Sequence, residues 1–223
     1  MNSPWVFVVL IIVALISLMM RLRVVQRRNR NYSRSGIKTN FGRPYFDRRN
    51  SLEYHVSCLL KELEGEKRTL SNLRIPYGDG TDAAIDLLMA HTTGLYVFLF
   101  KDYGGRMAGD EVDAEWILTF PNGRKETFPN PVRLAGISVR ALKAKLGDMR
   151  DIPCCVYLIF GDRCQMHNIT DTSLNAKTLK KNELEPALRE DIAEGRCTLS
   201  NQELDEIYQR IKGYSRGNLK IYY

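Results

Sequence analysis

Asp86 and Lys101 are the side chains whose placement first suggests chemistry. They lie in two strand-like runs, AIDLLMA and LYVFLFK, joined by HTTG. If Ala90 pairs with Leu95 across that loop, Asp86 stands directly opposite Leu99 and Lys101 is its diagonal neighbour. Strand side chains alternate with period two, so Asp86, Leu88, Val97, Leu99 and Lys101 share one face. A carboxylate on a largely apolar sheet surface is costly without a partner. The pair is therefore either an ion pair that satisfies itself or the polar remnant of a working site. The residues alone leave both open.

These strands need a frame. Residues 51–63 carry Leu52, Val56, Leu59, Leu60 and Leu63 at helical spacing. Asn50 can cap that helix, with Glu53 closing a capping box. Residues 69–75 read as a strand ending at Pro76, and YGDGT as a turn. PNGR joins a further hairpin that carries Trp116, a core residue by its type. Asn130 followed by Pro131 opens a helix that Gly147 stops after Leu146. IPCCVYLIF is a buried strand, and residues 164–169 are expected to pair back on it. Two helices follow, one over 183–194 and one capped by Ser200 with Glu203, carrying Leu204, Ile207 and Ile211. This order predicts an α/β fold, a mixed central sheet flanked by helices.

The run from Ser51 to about Leu146 resembles a nuclease-related domain and is similar to the wider PD-(D/E)xK, restriction-endonuclease-like fold. The matching pieces are SLEYHVSCLLKEL, AIDLLMAHTTGLYV, FKDYGG, EWIL and FPNPVRLAG. In active members a helix Glu, a strand Asp and an E-x-K on the next strand surround a divalent metal. The resemblance implies Glu53, Asp86 and Lys101 as catalytic positions, with Asp86 and Glu53 as metal ligands if the protein is active. Mg²⁺ or Mn²⁺ would then polarise a phosphodiester and help generate hydroxide, while the lysine orients the water.

The chain departs from that pattern. The Glu of E-x-K falls on Leu99, and Leu134 stands where an NPxxQ motif has its Gln. Asp102 cannot replace the missing acid, because the next strand residue faces the other way. Tyr103, Gly104 and Gly105 read as a turn. The expectation is a degenerate, inactive nuclease fold serving as an interaction or scaffold module, with no cofactor. The alternative is an active Mg²⁺-dependent nuclease acting on DNA or RNA through a relocated ligand.

Charge and hydropathy set the context. Residues 5–20, WVFVVLIIVALISLMM, hold one polar side chain, Ser17. Their length of about 24 Å nearly spans a bilayer core, and Leu22, Val24 and Val25 extend it if Arg21 and Arg23 snorkel. MNSP lacks the basic n-region of a signal peptide, the competing reading. The expectation is a single-pass anchor in the cell membrane over 1–25, with the N-terminus outside and residues 21–223 cytoplasmic. Residues 21–49 carry ten Lys or Arg and one acid, against 23 basic and 25 acidic residues in 50–223. The linker at 26–49 is a topology signal that can also hold anionic lipid. The near-neutral remainder does not suggest a strong nucleic-acid surface, though a local patch can hide within it. The expected organisation is a nuclease-related domain at 50–170 and a helical extension at 171–223, with an unidentified protein partner. Cys154, Cys155, Cys164 and His167 match no tight zinc spacing.

Overall fold

The computed structural model describes residues 52–78, 80–170, 176–195 and 197–216, together with Met19. The described residues within 52–77 and 83–216 belong to one compact unit. The expected membrane span, the basic linker, the Asn50 cap and the final IYY lie outside the described residues. Among the described residues no helix is long and apolar enough to cross a membrane.

In chain order the elements are α1 (Leu52–Glu62), β1 (Lys67–Tyr77), β2 (Thr81–His91), β3 (Gly94–Lys101), β4 (Gly105–Asp110), β5 (Glu115–Thr119) and β6 (Lys125–Pro129). Then come α2 (Pro131–Leu146), β7 (Cys154–Phe160), β8 (Cys164–Thr170), β9 (Ala176–Lys180), α3 (Leu184–Glu194) and α4 (Asn201–Ile211). The fold is mixed α/β, with two sheets rather than the single sheet expected. The first has the order β1-β2-β3-β7-β9 and the second β6-β5-β4-β8.

The two sheets are continuous through their parallel pairs. β3 runs parallel to β7, and their continuations β4 and β8 run parallel in the second sheet. The crossing is bound by Gly161 N–H to Lys101 O at 3.0 Å and Gly105 N–H to Arg163 O at 3.1 Å. This corrects two expectations. Cys164–Thr170 pairs with β4, not back on β7. Gly105 opens a strand rather than completing a turn.

Each face of the first sheet has its own core. Leu87, Met89, Tyr96, Phe98, Tyr157 and Ile159 meet Leu52, Val56, Leu59 and Leu60 of α1 and Leu184 and Leu188 of α3. The alternate residues, Leu88, Val97, Leu99 and Leu158 among them, are buried on the other face. α2 covers β1, β7 and β9 and packs against α4. β1 passes through Pro76 instead of stopping before it. It lies at the sheet edge, where a missing N–H need break no ladder bond.

Candidate functional site

The β2–β3 register is the expected one: Ala90 pairs with Leu95, and Leu87 with Phe98. The turn is tighter than expected, since His91 pairs with Gly94 and only Thr92 and Thr93 remain between the strands. The ladder stops at Leu87–Phe98, one step before Asp86 and Leu99. Beyond that point the N–H of Phe100 donates to Asp86 Oδ2 at 2.8 Å. The Asp86 side chain thus takes a backbone donor as the two strands part.

Asp86 is also the shared member of the local electrostatics. Glu53 is exposed on the first turn of α1, yet the protein around its carboxyl lifts its pKa above the ordinary range, and the negative charge of Asp86 adds to the rise. Lys101, partly buried at the end of β3, is pushed down by burial, with Asp86 opposing that shift and Arg74 adding to it. Tyr103 is pushed up to about 12 by burial, then by Cys164 and Asp86. Its ring packs 5.1 Å from Phe128 and 6.5 Å from Phe160. The structure therefore brings Glu53, Asp86 and Lys101 into one neighbourhood.

Three contributors were missed from sequence: the Phe100 amide, Arg74 and Tyr103. Tyr103 was assigned to a turn. The signal was available in its parity, because it lies two positions past Lys101. Nothing in the sequence marks the Phe100 amide, which is freed only because the ladder ends early.

Leu99 is 5% exposed, on a strand held between β2 and β7, and is paired in register with Leu158. Leu134 is 42% exposed on α2. The cysteines are dispersed. Adjacent positions place Cys154 and Cys155 on opposite faces of β7, while Cys164 and His167 lie on β8. All five described cysteines are free, Cys58 and Cys197 being the other two.

Asn130, from the NP motif, has a structural role. Its Oδ1 caps α2 by accepting from Val132 N–H at 2.9 Å and Arg133 N–H at 3.4 Å. Its Nδ2 donates to the carbonyls of Asp110, Glu111 and Asp113 at 3.1, 2.8 and 2.9 Å. Trp116 Nε1 donates to the Asp110 carbonyl at 2.8 Å, and its ring leaves no room at Gly109, where a Cβ would lie 2.2 Å from Cδ1. Gly109, Trp116 and Asn130 therefore fix the β4–β5 loop to the start of α2.

Mg²⁺ prefers about six oxygen ligands in near-octahedral geometry, with carboxylates supplying the charge. Here two carboxylates are available, and one already holds the Phe100 amide. A buried hydrocarbon occupies the third position. Among the described residues, no group of three His, Cys, Asp or Glu side chains is placed to hold a metal. The residues present do not fit that ion.

Comparison with known proteins agrees with this architecture. Residues 48–161 match the nuclease-related domain family. The chain is also 27% identical over 137 residues to an uncharacterized protein of Bacillus anthracis, an alignment covering 60% of each chain. The chain thus spans somewhat over half the length of that relative.

Proposed function

The chain belongs to the nuclease-related domain family, and we propose that within it this protein is a membrane-anchored interaction module that keeps the fold without cutting nucleic acid. Leu99 is the observation that carries this reading. A buried leucine beside Asp86 supplies no charge and excludes the water that a hydrolytic metal site needs. Asp86 and Lys101 then act as a charge-compensated polar pair, with Glu53 close to it. The Asp86 carboxylate receives the Phe100 amide and offsets the charge of Lys101, a structural use of residues that elsewhere do chemistry. Anchoring rests on the apolar run at 5–20 and the arginines that follow it.

One observation favours a second reading, an active metal-dependent nuclease. Glu53 and Asp86 repel each other, and a cation would relieve that repulsion. The two readings separate in one experiment on the full chain in uncharged detergent. Manganese binding is measured by calorimetry, and DNA and RNA cleavage is measured with Mg²⁺ and Mn²⁺. The expected result is no cleavage and no saturable metal binding in the native chain, with metal binding gained in Leu99→Glu. Cleavage by the native chain that disappears in Asp86→Asn would establish the nuclease instead.

A further inference from the structure

We propose that the groove along α2 is a second binding site, for a phosphate-bearing small ligand of nucleotide size. This goes beyond the reading of the Asp86 cluster and does not depend on whether that cluster cleaves anything.

Charge is the first argument. α2 carries Arg133, Arg140, Lys143 and Lys145 and no acid in its 16 residues. Residues 50–223 taken together have more acids than bases, 25 against 23. The helix is therefore a local concentration of positive charge that the total conceals.

The second argument is shape. Arg133, Arg140 and Lys143 border a groove of about 560 Å³, and Val156 of β7 and Ala176 of β9 also line it. That volume lies within the roughly 300–1,000 Å³ of small-ligand sites. The helical rise spreads the three cations over about 15 Å along one side of α2. A lining that is part apolar, with three cations against the acid Glu111, suits a ligand with a flat or apolar body and phosphate oxygens. Arginine forks bind such oxygens through paired N–H donors.

The third argument is that these charges have no evident internal use. Arg133 sits in the first turn of α2, where the helix dipole disfavours a cation and the turn itself holds no acid. Neither Arg133 nor Lys143 makes an ion pair among the described residues. Arg140 gives Nε to the Tyr77 hydroxyl at 3.3 Å, which steadies the side chain and leaves its other donors for a ligand. The first amides of α2 are already taken by Asn130, so the side chains rather than the helix end would meet the anion.

Gly136 provides a fold-safe probe. A Cβ there would meet only Arg140 Nη1, at an ordinary 3.5 Å. Replacing a helical glycine also favours the helix.

The test titrates the full chain, in uncharged detergent and without divalent metal, against a fluorescent N-methylanthraniloyl ADP read by anisotropy. Saturable binding is expected, weakened at least about tenfold by Arg133→Gln and by Lys143→Gln. Gly136→Glu should abolish binding, while Arg150→Gln keeps it, and all variants should retain cooperative melting. Displacement by ADP and not by adenosine supports phosphate recognition. The proposal is overturned if binding does not saturate, or if it survives Arg133→Gln and Gly136→Glu. Displacement by adenosine as effective as that by ADP also overturns it. So does displacement by a single-stranded oligonucleotide at concentrations far below those of ADP, which would assign the groove to nucleic acid.

Discussion

The proton on His91 can be assigned from its partners. Nδ1 accepts from the Thr93 backbone N–H at 3.2 Å, and an amide can only donate. The ring hydrogen therefore sits on Nε2 and is given to the Glu64 carbonyl at 2.9 Å. Protonating Nδ1 would set two donors against each other. Burial and the charge of Lys67 lower the pKa from its ordinary value of 6.5, with the Glu64 bond opposing them. As pH falls, the unfolded chain takes the proton first. The stability tied to neutral His91 is therefore fully present above about 6.5 and is lost progressively below it. Melting followed by circular dichroism should show a fall in Tm from pH 7.5 to 5, with a shallower fall in His91→Gln. Equal slopes would remove His91 from this role.

Residues of this kind were partly legible in the sequence. Asp86, Leu99 and Lys101 could be assigned to one face because a short turn fixes a register and alternation does the rest. Nothing comparable exposes His91, whose partners are the distant Glu64 carbonyl, which accepts from it, and the Thr93 turn amide, which donates to it. Nor does it expose the contact of Glu53 with the charge of Asp86, which depends on where the first turn of α1 meets parting strands.

At the level of elements, the strongly patterned ones were readable and the weakly patterned ones were not. β3 and β7 are continuous apolar runs, and α4 has the Ser200–Glu203 capping box seen in sequence. β4 reads GRMAGD, with two glycines and little strand propensity, and exists because β8 and β5 flank it. β9 is short and polar and is held by β7. The joint between β4, β5 and α2 depends on Asn130. Asn130→Ala removes a helix cap and takes one donor each from the Asp110, Glu111 and Asp113 carbonyls, of which Asp110 keeps Trp116 Nε1, and this should cost about 2 kcal/mol or more in urea unfolding. A loss below about 1 kcal/mol would show that water or a local shift replaces the side chain.

For the whole molecule, the division of charge is the dominant fact. The arginine-rich segment holds the excess, and the remainder is slightly acidic. A single-pass anchor predicts that the full chain resists alkaline carbonate extraction and is released by detergent. It also predicts that residues 21–223 are shielded from protease added outside intact cells. Release by carbonate alone would replace the anchor with a peripheral attachment. The sheets were less legible at this scale because their pairing is non-local, and no short-range pattern announces a parallel partner.

That pairing has a consequence for biogenesis. β3 takes its partner on one edge from β2, a few residues away, but on the other from β7, Cys154–Phe160. At a synthesis rate of about 5–20 residues per second, the LYVFLF edge waits roughly 3–10 seconds for that partner to leave the ribosome. An unpaired apolar strand is a template for wrong pairing. Newborn chains of this protein are therefore most vulnerable to aggregation, and most in need of a chaperone, in the interval between the hairpin and the seventh strand.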